Sequence, residues 1–188
     1  GRRLVIGGGK PGGRPYHGYR VQSRHQLEEI RDFLQGQGLN TEPSPSTIFE
    51  PDAVAVRDPD GWLSVFGLPR HDLPSQKAVN TPSALKLSGR LQHVVVATNN
   101  LAPMMKFYED VLGYAASDYC AADVDDPATR KVAFYRSDPE HHSFAVFSAS
   151  EVRSDHHAYE VDSWNDIRDW ADHLSALNIK LWWGPGRH

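Results

Sequence analysis

Two stretches decide the fold: Tyr16-His17-Gly18-Tyr19-Arg20-Val21-Gln22-Ser23 and His156-His157-Ala158-Tyr159-Glu160-Val161-Asp162-Ser163. Placed on each other with an offset of 140 residues, they share a histidine, a tyrosine, a valine and a serine. Both alternate along their length, which predicts a strand, and both end in a serine with Gln26 or Asp166 three residues later, a helix-capping pattern. The repeat predicts that one strand-then-helix unit occurs twice.

The helices predicted after these strands have recognisable faces and ends. In the second copy Ile167, Trp170, Leu174 and Leu177 form an apolar stripe at helical spacing, which is typical of a core-facing helix. Gly36 and Gly38 are expected to end the first helix, and Asn178 to end the second. In the first copy the chain then continues through Pro-rich turns to strands at 53–56 and 62–67, joined by the tight turn 58–61.

Another unit of the same kind is predicted from about residue 90. A strand at 91–98 precedes a helix that is capped by Asn99 or Asn100, has Pro103 in its first turn and ends at Gly113. Strands are expected at 131–136 and 142–148. The order β-α-β-β-β therefore repeats, which predicts an α+β protein with curved mixed sheets. We expect the remnant of an N-terminal domain at 1–68, a linker at 69–87 and a second domain at 88–188.

Composition restricts the classes of function. The 188-residue chain carries a formal net charge of −4 and is 39% hydrophobic, so neither a nucleic-acid nor a membrane-surface partner is expected. Its one cysteine, Cys120, fits a cytoplasmic location. The first residue is not Met and the last five, Gly-Pro-Gly-Arg-His, stop inside a loop, so we expect a chain truncated at both ends.

Ten histidines are the unusual feature, and two of them stand at corresponding places in the second domain. His93 lies within the apolar strand at 91–98, and His157 opens the strand of the next unit. A mononuclear iron site of the two-His, one-carboxylate kind needs two neutral imidazoles and a carboxylate on one face of an octahedron, which leaves positions open for substrate and O2. His93 and His157 are therefore candidate metal ligands.

The second domain also resembles a known family, the type I extradiol ring-cleavage dioxygenases of the vicinal-oxygen-chelate (glyoxalase and bleomycin-resistance) superfamily. The resemblance lies in four segments, each of which supplies one histidine, and successive histidines are 49, 15 and 31 residues apart. The first segment is His93 followed by Phe107-Tyr108-Glu109-Asp110-Val111-Leu112-Gly113, and the second is His141-His142-Ser143-Phe144-Ala145-Val146, which supplies His142. The third, His156-His157-Ala158-Tyr159-Glu160-Val161, supplies His157, and the fourth, Gly184-Pro185-Gly186-Arg187-His188, supplies His188. The resemblance covers 90–188 and, more weakly, 16–68.

The resemblance implies the vicinal-oxygen-chelate fold and an enzyme that takes part in the breakdown of aromatic compounds. Such an enzyme would open a catechol-type ring with O2 at one Fe(II) ion, and Mn(II) is the alternative metal. His93 and His157 would be metal ligands, His142 the catalytic acid and base, and His188 a catalytic residue that contacts the substrate. Two aromatic residues near the chain end, Trp182 and Trp183, are candidates to wall the substrate pocket. A homo-oligomer is expected by analogy. His141 and His156 match no catalytic position, and we interpret them as strand-edge or supporting polar residues.

One element of the family pattern is missing from the sequence. The third ligand is a Glu on the strand after a turn like 58–61, and in the first unit that position is Val65, so the N-terminal domain is expected to be structural. Applying the repeat offset places the carboxylate at about position 205, past the end of the chain.

Two other functions stay open at this stage. One is a different metalloenzyme of the superfamily, such as a glyoxalase, an epimerase or a fosfomycin-resistance thiol transferase, which has no need for His142 and His188. The other is a non-catalytic ligand-binding protein of the bleomycin-resistance type, which is expected to contain no iron.

Overall fold

The structure is a computed structural model that describes residues 2, 4–5, 8, 13–72, 87, 89–181, 184 and 186. Within them lie nine strands, three α-helices and two shorter helical turns. The strands form two mixed sheets, and the expected α+β class with repeated βαβββ modules is confirmed.

The first module contains β1 (Tyr16–Arg20), α1 (Arg24–Gly36), β2 (Thr41–Pro43), β3 (Val54–Arg57) and β4 (Leu63–Gly67). Its sheet has the order β1-β4-β3-β2, in which β1 and β4 are parallel and the other pairs are antiparallel. The first and last strands of the module are thus neighbours, and the helix supplies the crossover that a parallel pair requires.

The second module repeats this plan. It consists of β5 (Arg90–Thr98), α2 (Leu101–Lys106), β6 (Ala115–Ala121), β7 (Arg130–Arg136) and β8 (Phe144–Ser148). Here β5 and β8 are the parallel pair, while β7 runs antiparallel to β6 and to β8. After α2 the chain widens into a π-helical turn, Phe107–Val111, and a single 3₁₀ turn, Pro127–Thr129, precedes β7.

A third copy of the strand-and-helix unit follows, as the repeat predicts. Strand β9 (Arg153–Glu160) joins the second sheet beside β5, giving the order β6-β7-β8-β5-β9, and α3 (Trp164–Ala176) comes next. Helices α1 and α3 are both 13 residues long and start 140 residues apart. The side chains of Ser23 and Ser163 each accept a hydrogen bond from the backbone N–H three residues on, which confirms the predicted caps.

The chain divides into two compact units whose boundary falls inside β5 and β9. The larger unit is Gly7–Ser75 with His93–His156, and the smaller is Gly1–Ile6, Gln76–Gln92 and His157–His188. The predicted domain division at 69–87 stays a prediction, and most of that linker lies outside the described residues. In the part of the chain that the structure describes, no helix is both long and apolar enough to span a bilayer.

The larger of the apolar clusters in this unit takes side chains from both modules. Leu27 and Leu34 of α1 pack into the same cluster as Val96 of β5, Met104 of α2 and Phe144 of β8. Each of these five side chains is 2% exposed or less. The two modules are therefore stabilised by shared burial of apolar surface.

A buried carboxylate adds a polar connection between the modules. Asp58, in the turn between β3 and β4, accepts hydrogen bonds from the backbone N–H groups of Asp60 and Trp62 at 3.1 and 2.9 Å. Its Oδ2 accepts a third from the hydroxyl of Tyr108 at 3.0 Å. Burial raises the pKa of Asp58, although the Trp62 N–H, Arg14 and Tyr108 oppose that shift.

We predict that Leu34→Ala lowers the free energy of unfolding by about 2–5 kcal/mol, because Leu34 is 1% exposed in the core that both modules share. The control is Phe33→Ala on the same helix, where the side chain is 45% exposed and the loss should be within about 0.5 kcal/mol. Urea unfolding of the two variants measures both values. Equal losses would contradict the assignment of Leu34 to the core.

We predict a pH-dependent difference in stability between the wild type and Asp58→Asn. Because the folded-state pKa of Asp58 is raised, the folded state holds its proton more tightly than the unfolded chain does. The stability of the wild type relative to the variant should therefore fall as pH rises from about 4, and level off above the raised pKa. Urea unfolding from pH 4 to pH 7 checks this, and a difference that does not change with pH would contradict it.

Candidate functional site

The site begins with a buried imidazole in the middle of a strand. His93 lies in β5, where it is 2% exposed, and Leu91 and Val95 on the same face are also buried. Alternate residues of a strand share a face, so the sequence Leu91-Gln92-His93-Val94-Val95 aims the imidazole inward with its apolar neighbours. A buried imidazole needs polar partners, and two other histidines lie within contact distance.

The first of these is His142, which the parallel pairing of β5 with β8 brings beside His93. The backbone N–H of Val94 donates to the carbonyl of Ser143 at 3.2 Å, so the residue after His93 is bonded to the residue after His142. The two rings stand 4.3 Å apart between centroids at an angle of 45°. His142 is 1% exposed and lies in the loop before β8, not in the strand itself as predicted.

His142 is also held on its other sides. Its Nδ1 is 2.9 Å from Nδ1 of His141, so one of the two nitrogens donates a hydrogen bond to the other. The ring of Phe134 from β7 stands 5.0 Å away between centroids and meets His142 edge-on. His142, which the resemblance predicts to be the catalytic acid and base, is therefore a buried imidazole with a fixed orientation, and it lies next to the candidate metal ligand His93.

The second partner of His93 is His156 of β9. The Nε2 atoms of the two rings are 3.3 Å apart, and the rings meet at 78° with centroids 5.4 Å apart. His156 was interpreted from the sequence as a supporting polar residue. The sequence holds no signal that singles it out, because alternation places His156 and His157 on opposite faces of the strand without saying which face meets His93.

His157 faces another environment. It is exposed, and its ring meets that of Tyr159, two residues further along β9, edge-on at 5.5 Å. Its role as a metal ligand stays a prediction. His188, Trp182 and Trp183, the other predicted site residues, lie outside the described residues, as does the position expected for the third ligand.

The ring of His156 has a carboxylate on its far side. Its Nδ1 lies 2.8 Å from Oδ2 of Asp155, and the other oxygen of that carboxylate pairs with the guanidinium of Arg153. Burial by itself would raise the pKa of Asp155, but the hydrogen bonds from His156 and Arg153 outweigh it and lower the pKa overall. Asp155 is therefore an ionised acceptor at neutral pH.

The spacing of two imidazole nitrogens at the site is one at which both could bind the same divalent metal ion. Two imidazole nitrogens bound at about 2.1 Å and at right angles on one ion stand about 3 Å apart, close to the separation seen between His93 and His156. Among the described residues, no group of three or more His, Cys, Asp or Glu side chains is placed to hold a metal ion. The two histidines therefore offer part of a ligand set that a carboxylate from elsewhere would complete.

Comparison of the sequence with models of known protein families identifies the class of protein to which this fold belongs. Residues 90–188 match the model of the Glyoxalase/Bleomycin resistance protein/Dioxygenase superfamily, and the chain belongs to that superfamily. The match covers β5 to α3, which includes His93, His142 and His156.

Individual relatives are similar to the chain at modest identity. It is 32% identical over 174 residues to Metapyrocatechase 2 of Cupriavidus necator, covering 85% of this chain and 52% of the relative. It is 26% identical over 202 residues to the iron-dependent extradiol dioxygenase of Rhodococcus jostii (strain RHA1), covering 99% of this chain and 66% of the relative. The chain thus spans between about half and two thirds of these proteins.

A solved structure shows the same fold. The 2,3-dioxygenase LapB from Pseudomonas sp. KL28 superposes with a TM-score of 0.74 at 19% identity, over 93% of this chain and 63% of the other. The predicted resemblance to extradiol dioxygenases is confirmed at the level of superfamily and fold.

Proposed function

We propose that this protein is an extradiol dioxygenase that opens a catechol-type ring with O2 at one Fe(II) ion. The observation that carries the proposal is the 3.3 Å separation between the Nε2 atoms of His93 and His156, with the ring of His142 beside them. Similarity to two curated proteins named as a metapyrocatechase and an iron-dependent extradiol dioxygenase supports it.

His93 would hold the metal together with one histidine of the pair in β9, which is His157 by the resemblance or His156 by its contact with His93. When bound, the Fe(II) ion would chelate the two oxygens of the diol and provide the electron path between ring and O2. Two neutral imidazoles suit that ion, because they leave adjacent positions for both reactants. The resemblance alone assigns the second ligand to His157, whereas the contact with His93 favours His156.

His142 would move the proton. A catechol must lose a proton to chelate through both oxygens, and a positioned imidazole can accept that proton and return it later in the reaction. Its contacts with His93, His141 and Phe134 fix the ring, so the acceptor nitrogen does not have to be oriented during turnover. Burial also excludes water from the ring of His142.

We further propose that the enzyme works in the cytoplasm as a homo-oligomer, with the catechol and O2 as its small-molecule partners. The single cysteine, which leaves no partner for an internal disulfide, supports the location. Mn(II) is the alternative metal, and His188 and a glutamate at about position 205 would complete the site.

The experiment that tests this proposal is metal analysis and oxygen uptake on the complete protein, purified without oxygen and given a panel of catechols. We expect about one iron per chain, oxygen consumption, and a yellow ring-opened product. No iron and no uptake after Fe(II) is added back would instead support the ligand-binding function. Iron without ring cleavage would favour another metalloenzyme of the superfamily.

We predict that His156→Ala and His157→Ala separate the two possible ligands. His156→Ala should lose most of its iron, because it removes the imidazole that faces His93, whereas the adjacent His157→Ala should retain iron close to one per chain. Iron is measured after anaerobic reconstitution. The reverse result would assign the ligand to His157.

We predict that His142→Asn keeps its iron but loses turnover by about 10²- to 10⁴-fold, because it removes the proton acceptor without removing a ligand. Iron content and the pH profile of kcat/KM are the measurements, and an unchanged melting temperature shows that the variant folds. Full activity of His142→Asn would exclude a proton-transfer role for this residue.

A further inference from the structure

We infer that three tyrosines, Tyr108, Tyr135 and Tyr119, form a relay that moves a one-electron oxidation between the surface and the buried core of the larger unit. Their hydroxyl protons pass to two carboxylates, those of Asp58 and Glu109. The oxidant is a strong one-electron oxidant, of the class of oxidising radicals. The proposed ring cleavage uses none of these residues, so the inference does not rest on it.

The interior part of the relay is a pair of stacked phenol rings. Tyr108 lies in the π-helical turn and Tyr135 in β7, and both are 0% exposed. Their ring centroids are 6.2 Å apart and the ring planes differ by 20°, an arrangement that aromatic pairs prefer. The probability of electron transfer falls steeply with distance, so two rings at this separation exchange an electron readily.

Each of the two buried hydroxyls donates to a carboxylate of its own. The hydroxyl of Tyr108 donates to Oδ2 of Asp58 at 3.0 Å, and that of Tyr135 donates to Oε1 of Glu109 at 2.8 Å. A phenol that loses one electron to the oxidant becomes a strong acid, so its hydroxyl proton moves to the carboxylate oxygen. The products are a neutral tyrosyl radical, a neutral carboxyl group and an oxidant reduced by one electron.

Burial favours the loss of the electron and the proton together. It raises the pKa of both Tyr108 and Tyr135, so a phenolate in the core is unfavourable and deprotonation does not precede oxidation. Burial also raises the pKa of Asp58, which therefore holds a transferred proton more tightly. The pair of hydroxyl and carboxylate carries one negative charge before the step and none after it, and removal of a buried charge is favourable.

The π-helical turn brings the acceptor and the stacked ring to the same tyrosine. The backbone N–H of Leu112 donates to the carbonyl of Phe107, five residues back, at 3.1 Å. Two successive residues of this turn both contact Tyr135, Tyr108 through its ring and Glu109 through its carboxylate. π-helical turns are rare and occur frequently at functional sites.

Tyr119 of β6 is the surface end of the relay. It is half-buried, and its hydroxyl donates to Oε1 of Glu109 at 3.0 Å, the oxygen that also accepts from Tyr135. One carboxylate oxygen takes up one proton, so only one of these two phenols is oxidised at a time, and the oxidation passes between them. The guanidinium of Arg130 lies 3.7 Å from the centroid of the Tyr119 ring and covers one of its faces.

The test is flash photolysis with electron paramagnetic resonance on the complete protein, after a chelator has removed any iron. The oxidant is photogenerated tris(bipyridine)ruthenium(III). We expect a long-lived neutral tyrosyl radical in the wild type, identified by the change in its spectrum when the tyrosines are ring-deuterated. Tyr135→Phe removes only a hydroxyl, and it should lower the long-lived signal by about 10-fold or more, because the path from Tyr119 to the interior is broken.

Glu109→Gln is the second variant and tests the proton acceptor. It keeps an oxygen that accepts hydrogen bonds but does not take up a proton, so the same loss of about 10-fold or more is expected. The matched control is Asp110→Asn, which changes the adjacent carboxylate, a partner of Lys106 and not of a tyrosine. Tyr16→Phe is the control for the hydroxyl, because Tyr16 donates to Ser46 and not to a carboxylate. Both controls should keep the wild-type signal.

A long-lived signal of wild-type size in Glu109→Gln overturns the inference, as does the absence of such a signal from the wild type. An unchanged melting temperature shows that each variant folds, and Glu109→Gln decides the outcome if Tyr135→Phe does not fold. Because the sample contains no iron, failure of the dioxygenase proposal leaves these results unaffected.

Discussion

The burial of one imidazole is the constraint on which the rest of the site depends. His93 is 2% exposed inside an apolar strand, and a buried polar group without hydrogen-bond partners costs roughly 1–3 kcal/mol. Partners must therefore come from chain segments that are distant in sequence. His156 supplies a polar contact between the Nε2 atoms, and His142 supplies a ring contact, so three imidazoles from distant segments lie together.

The topology of the module explains how distant histidines meet. In each βαβββ module the first and last strands are parallel neighbours, so a residue early in the module lies beside one about fifty positions later. The first module uses the same topology for packing alone: Val65 of β4 is fully buried, next to Gly18 and between apolar neighbours. One scaffold thus supports a packed core in one copy and a polar cluster in the other.

The polar residues near His93 form successive layers of contacts. An imidazole pair lies innermost, the carboxylate of Asp155 holds one member of the pair, and Arg153 holds the carboxylate. Each layer satisfies the hydrogen-bonding groups of the one before it, so a buried polar cluster persists in an otherwise apolar sheet. Asp58 serves the same purpose at the module junction, where three donors surround one buried carboxylate.

Much of the fold follows from local sequence patterns. The repeat, the two serine caps and the apolar stripe predicted α1 and α3, because helical periodicity and capping are properties of short segments. The strands β3, β4, β5 and β7 were likewise predicted to within one residue at each end. The predicted order β-α-β-β-β implies strands β2 and β6, but their positions were not predicted, since Thr41–Pro43 is very short and Ala115–Ala121 has no strong alternation. The π-helical turn at Phe107–Val111 also has no local signal, because it depends on how the helix packs.

The sequence by itself determined the module order, the superfamily resemblance, and His93 and His142 as members of one site. Only the tertiary structure decided which histidine of the pair His156–His157 meets His93. Side chains alternate between faces along a strand, so a shift of one residue exchanges the inward and outward positions, and the short sequence Asp155-His156-His157 fits either choice. In the folded sheet, where β9 lies beside β5, the ring of His156 meets that of His93, and Asp155 contacts the other ring nitrogen of His156.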